Sequence, residues 1–146
     1  MNSEDTKAIM HRFLMALTQR SPADAAGLLT PNVVAHFAGL PEAIQGREAW
    51  TQLFSAYVAA FPDIEITVHD EIAEGNTATA RWSWSGTHKG PFMNIPPTGK
   101  AVSGIAGLGV YRVDGGQIDE EWVIEDTMSL LQQLGVIPQP QAAATA

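Results

Sequence analysis

Apolar positions change their spacing once along this chain, at Pro62. Before it they recur at helical intervals. Ile9, Met10, Phe13, Leu14 and Leu17 form an i, i+1, i+4, i+5, i+8 stripe, which predicts an amphipathic helix over residues 4–20. Ser21 and Pro22 predict a restart, since Ser caps a helix and Pro suits its first position. That second helix should run to about Leu29 and end at Thr30-Pro31, before a brief strand from Val33 to Phe37 and a loop through Pro41. From Gly46 onward Trp50, Leu53, Phe54, Tyr57, Val58 and Phe61 follow the helical period until Pro62 stops them.

Beyond Pro62 the period falls to two. Ile64, Ile66, Val68 and Ile72 alternate with Glu65, Thr67, His69 and Glu71, as in a strand with one wetter face. Glu74-Gly75-Asn76 supplies a turn, and a second strand returns from Thr77 to His88. A Pro- and Gly-rich loop, Lys89 to Gly99, precedes a third strand from about Lys100 to Val113. Asp114-Gly115-Gly116 is a hairpin signal, and the fourth strand, Gln117 to Asp126, leads into a short helix ending near Leu134. Helices first and a strand meander afterwards indicate an α+β domain rather than a βαβ sheet. A strongly curved, mainly antiparallel sheet wrapped on the long helix would enclose an apolar pocket, with Gly104, Gly107 and Gly109 marking bends or close approaches. Residues 1–137 form one such domain, and 138–146, composed of Pro, Gln, Ala and Thr, should be an unordered tail.

Composition narrows the chemistry. At 146 residues the chain suits one domain with a real core. A net charge of −8 without a basic cluster disfavours nucleic acid. The absence of cysteine removes thiolate chemistry and disulfides. No apolar run is long enough for a membrane span, and the polar start at Met1–Thr6 predicts a cytoplasmic protein. The four His, at 11, 36, 69 and 88, show no metal-ligand spacing, so no metal is expected. There is no nucleophile elbow around Ser83-Trp84-Ser85, no P-loop and no dinucleotide fingerprint.

From Trp50 onward the sequence resembles the SnoaL-like polyketide cyclases of the nuclear-transport-factor-2-like superfamily. The resemblance rests on "AFPD" at Ala60–Asp63, "GTHKG" at Gly86–Gly90, "PPTGK" at Pro96–Lys100, "DGGQIDEEW" at Asp114–Trp122, Asp126, and "QQLG" at Gln132–Gly135. It implies a cone-shaped fold, usually dimeric, with a hydrophobic pocket and no cofactor. It also implies an intramolecular aldol closure in which one carboxylate moves the protons. The position matching that carboxylate is Asp126, four residues after the motif Trp. Membership implies fold more securely than reaction.

Counting by twos along the last strand puts Asp126 with Ile118, Trp122 and Ile124, an apolar face where a carboxylate is disfavoured as a charge and suited to general-base work. Asp126 also directly precedes the last helix, where Asp is a good cap. Glu120 shares that count, whereas Glu121 falls on the opposite face and should be exposed. His88, on the face of Trp82 and Trp84, is the second catalytic candidate, able to orient a carboxylate or bond an oxyanion. His36, Trp122, Arg81, Phe92, Met93 and Phe54 are candidate substrate-binding residues. For Arg81 the preferred reading is a structural ion pair with Asp63, Asp119, Glu120 or Glu121, and a grip on a substrate carbonyl or carboxylate is the alternative. The expected activity is cofactor-free enolisation or aldol cyclisation of a hydrophobic carbonyl compound. The alternatives are a ketosteroid-isomerase-like or epoxide-hydrolase-like enzyme, or a non-catalytic binding module on the same fold.

Overall fold

The computed structural model describes residues 2–139. Asn2 opens helix α1 (Ser3–Thr18): its side chain accepts from the Asp5 N–H, and Asp5 returns the bond as a capping box. The apolar stripe of α1 buries Ile9, Met10, Phe13 and Leu14. Ser21 caps the short α2 (Pro22–Ala26), which ends before Leu29 because β1 (Leu29–Phe37) already begins there. A two-residue strand β2 (Ile44–Gln45), too short to show alternation, pairs with β1. Then come α3 (Arg47–Ala60), β3 (Glu65–Glu74), β4 (Thr77–Thr87), β5 (Ala101–Asp114), β6 (Gln117–Glu125) and α4 (Thr127–Gln133). Beyond Gln139, the tail expected to be unordered lies outside the described residues. Among the described residues no helix is long and apolar enough to cross a membrane.

The sheet is a mixed, open one in the order β2-β1-β6-β5-β4-β3. Strands β3 to β6 form the antiparallel meander that alternation predicts. The early strand β1 joins parallel to β6, so the N-terminal part of the chain closes the pocket on that side. Gly115 and Gly116 make the two-residue turn between β5 and β6, both at positive φ, as a primed hairpin turn demands.

Three register shifts bend the meander. One extra residue, His69, interrupts the pairing of β3 with β4. Between β4 and β5, Ser103 and Gly104 stand opposite Ser85, with Gly104 at φ 64°. Between β5 and β6, Val113 pairs Ile118 but Arg112 pairs Glu120, leaving Asp119 as the extra residue. A bulge bends its strand and tightens the local twist. Repeated on three strand pairs, it curls the sheet around α1 and α3.

Small residues keep the concave side open. On β5, Gly107 and Gly109 face inward, and the rings of Trp82 and Tyr111 lie across them where a Cβ would stand. Replacing Gly107 by Ala would force the Trp82 ring aside, and overpacking of this kind costs about 1–3 kcal/mol. We expect Gly107→Ala to lower the chemical-denaturation midpoint accordingly; an unchanged midpoint would mean that the ring has room to move.

Candidate active site

The concave face encloses a cavity of about 290 Å³. Its far end is formed by Phe13 of α1, Trp50 of α3 and Tyr111 of β5, all buried. Its mouth lies between the loop after β1 (Ala38, Gly39 and Leu40) and the tip of the β4–β5 loop, where Met93 is 59% exposed. That tip is a tight hairpin in which Phe92 pairs with Ile95, and Met93 and Asn94 both take left-handed φ values of 49° and 62°. Phe54, Phe92 and Met93 thus line the cavity.

Two carboxyls enter this apolar space from β6. Past the bulge at Asp119 the faces of β6 exchange, so that Glu121, Val123 and Glu125 line the cavity while Glu120, Trp122 and Ile124 stand on the outer face. Ile124 is 62% exposed and Glu121 only 2%. Counting by twos across Asp119 therefore inverts every residue after it, and Glu121, expected outside, is the most deeply placed acid of the chain.

Glu121 Oε1 accepts from the Trp50 indole N–H at 2.6 Å. Burial raises its pKa from 4.5 to about 7, and the Trp50 bond opposes that rise. Glu125 accepts from the Trp84 indole N–H on Oε1 and from the Tyr57 hydroxyl on Oε2, the latter at 2.9 Å. Burial raises its pKa too; the bonds from Trp84 and Tyr57 oppose this, and the charge of Asp126 adds to it. Tyr57 and Tyr111 are both held neutral, by burial first and then by the adjacent carboxyls. Among the described residues, no Lys, Arg or His lines the cavity. The site can therefore exchange protons with an apolar guest and cannot form an ion pair with an anionic one.

The remaining candidates lie elsewhere. Asp126 is exposed at the end of β6 and caps α4, its carboxylate accepting from the Ser129 N–H at 3.0 Å. Its expected place on an apolar inner face is corrected by the bulge. His88 is fully buried and stacked on Phe61 behind the cavity wall, not on the lining. The Thr98 N–H donates to its Nδ1 at 3.1 Å, which assigns the proton to Nε2, an atom with no partner among the described residues. Together with the main-chain bonds His88 N–H to Lys100 O and Gly99 N–H to His88 O, this pins the base of the loop that carries Phe92 and Met93.

His36 and Trp122 are parallel-strand partners on the outer face, their rings stacked at 5.3 Å. His36 Nε2 bonds Glu120 at 2.7 Å, and the Arg112 guanidinium lies 5.0 Å over the Trp122 ring. Arg81 is likewise outside, donating to Asp70 at 2.6 Å, a partner brought opposite it by the shift at His69.

The buried acid leaves a measurable trace in stability. Glu121 titrates near 4.5 when unfolded and at about 7 when folded, so the folded state alone holds the proton between those values. Its contribution is fully present below the unfolded pKa and is lost as pH rises to the folded one, a change of roughly 3 kcal/mol. We expect Glu121→Gln to flatten the fall in unfolding free energy between about pH 4.5 and 7; a variant with the wild-type slope would locate the cause elsewhere.

Comparison with known proteins agrees with this architecture. The profile of the SnoaL-like polyketide cyclases matches residues 7–134. A SnoaL-like polyketide cyclase proposed from Jannaschia sp. CCS1 superposes with a TM-score of 0.83 at 19% identity, covering 93% of this chain and 95% of its own. AclR, a proposed hydroxylase from Streptomyces galilaeus, gives 0.82 at 24% identity, with 95% and 87% covered. IdmH, a proposed polyketide cyclase from Streptomyces antibioticus, gives 0.75 at 30% identity, with 89% and 98% covered. Among curated proteins nothing matches. With its profile matched almost end to end and its fold shared throughout, the chain belongs to the SnoaL-like polyketide cyclase family.

Proposed function

We propose that the protein is a cofactor-free enzyme that enolises a hydrophobic carbonyl compound and closes it by an intramolecular aldol step, with Glu125 as the proton carrier. The observation that carries this reading is a carboxyl inside an apolar cavity, held by one indole and one phenol and facing no cation. Burial makes it a stronger base than a surface carboxylate, and Tyr57 and Trp84 fix its orientation. Glu125 removes a C–H proton flanked by two carbonyls. The enolate carbon then attacks the accepting carbonyl, and the protonated carboxyl returns its proton to the new alkoxide, so the carboxyl ends as it began. A substrate whose carbanion is shared by two carbonyls supplies much of the stabilisation itself, and a placed acid–base group adds ~10²–10⁴-fold. The relatives described as polyketide cyclases support that substrate class.

Asp126 stands next to this base, and substitution separates the two. With an aromatic β-keto ester, whose exchanging protons lie between two carbonyls, we expect Glu125→Gln to slow α-proton exchange with deuterated solvent by roughly 10²–10⁴-fold. Asp126→Asn, which keeps a good cap, should retain exchange. The reverse pattern would return the role to Asp126. Retained ligand binding with no exchange by the wild type would make the chain a binding module. Because Glu125 acts ionised, exchange should rise with pH through a pKa above the ordinary 4.5.

The same reading includes a homodimer formed through the outer face of the sheet. There Leu108 and Ile124 are exposed cross-strand neighbours, and Ile72 of β3 is exposed on the same face. An apolar patch of this kind on a soluble domain favours cover by a partner. Light scattering should give twice the chain mass for the wild type and the chain mass for Ile124→Lys; a monomeric wild type would refute the dimer.

A further inference from the structure

We infer that Glu121 is the specificity-determining group of the cavity: it anchors a hydroxyl on the end of the substrate that enters first, so that the enolisable carbonyls stay at the mouth beside Glu125. This rests on the proposed role of Glu125 and adds the direction in which the substrate lies.

The geometry comes from β6. Glu121 and Glu125 are four residues apart on one face of a strand, roughly 13 Å at ~3.3 Å per residue. Apolar wall separates them, Val123 on the strand and Phe54 opposite. That distance is the spacing of their Cα atoms, and each carboxyl is held by its own donors, Glu121 by Trp50 and Glu125 by Trp84 and Tyr57, with no bond between the two. They are stations for the two ends of one elongated guest.

Glu121 sits at the closed end. The groups around it leave it one open role. Trp50 N–H reaches Oε1, and among the described residues no other donor is bonded to this carboxyl. From β5 the cross-strand partner Tyr111 is a neutral phenol, and from β1 the partner Ala35 brings no polar group. Phe13 closes the α1 side; Tyr57 and Glu125 are the titratable groups further along the cavity. A buried carboxyl with an unused oxygen facing a cavity is completed by a guest that bonds to it.

The class of guest follows from the two states of the acid. Protonated, Glu121 offers an O–H donor beside its remaining acceptor sites; ionised, it offers only acceptors. A carbonyl bonds the protonated state alone, and an ammonium, which only donates, leaves the O–H of that state without an acceptor. A hydroxyl is donor and acceptor together, and so remains bonded in both. With a folded pKa of about 7, both states are populated near neutrality, which supports the hydroxyl over the other two.

The probe is a tetrahydrophenanthrenone with an ester on the carbon beside its ketone and a hydroxyl on the ring remote from both carbonyls, set against its methyl ether and its parent without the hydroxyl. Binding is followed by the naphthalene fluorescence of the probe, and enolisation by deuterium exchange next to the ketone. The wild type should bind the hydroxy compound about tenfold more tightly than either companion, the affinity of one well-made hydrogen bond. In Glu121→Gln, which still offers Trp50 an acceptor, that preference should fall several-fold. Equal binding of the three compounds by the wild type, a preference unchanged in Glu121→Gln, or no binding of any of them overturns the inference. Preference for the hydroxy compound without exchange at any ketone would leave the anchor standing and remove the proposed chemistry instead.

Discussion

A carboxyl can be carried into an apolar interior only where something else holds its oxygens, because the charged form loses its water and the neutral form still needs partners. In this protein the partners are the indoles of Trp50 and Trp84 and the hydroxyl of Tyr57. All are donors without charge. A lysine or arginine there would have lowered the pKa of the acid and answered its charge in advance. Neutral donors orient it and leave its charge unanswered, so the carboxyl remains basic and the protein bears the cost of burying it. The curved sheet, the inward glycines of β5 and the placement of α1 and α3 all serve to keep space in front of two such groups.

Much of the architecture was legible. The stripe of α1, the Trp50–Phe61 run of α3 and the Gly115-Gly116 turn each follow from one strong local rule, and the structure obeys each of them. Strand β2 was not legible, since two residues hold no period. The parallel seat of β1 beside β6 was not legible either, because it is set by contacts across most of the chain rather than by any local pattern.

The site was read less well, and one residue explains most of it. Asp119 stands in an unremarkable run of acids, and nothing in its neighbours marks it as an extra residue in the ladder. Yet it moves Trp122 and Ile124 to the outside and Glu121 and Glu125 to the inside. Trp122 and Ile124 are apolar on the outer face, so hydrophobicity along β6 points away from the cavity. The one local hint was the alternation of Glu121, Val123 and Glu125. It gave acids on the face opposite Trp122, a pattern that fits a solvated face as well as a pocket, and so it did not point inward. Phe92 and Met93, singled out for their place in the loop after Gly86–Gly90, do line the cavity.

The pairing of indoles with acids has an optical consequence. Of the four tryptophans, Trp50 donates to Glu121 and Trp84 to Glu125. Each carboxyl that gains or loses a proton changes the field across the ring bonded to it, and indole emission responds to such a field in both colour and yield. The molecule therefore carries one intrinsic fluorophore at each end of its cavity, wired to the acid that stands there.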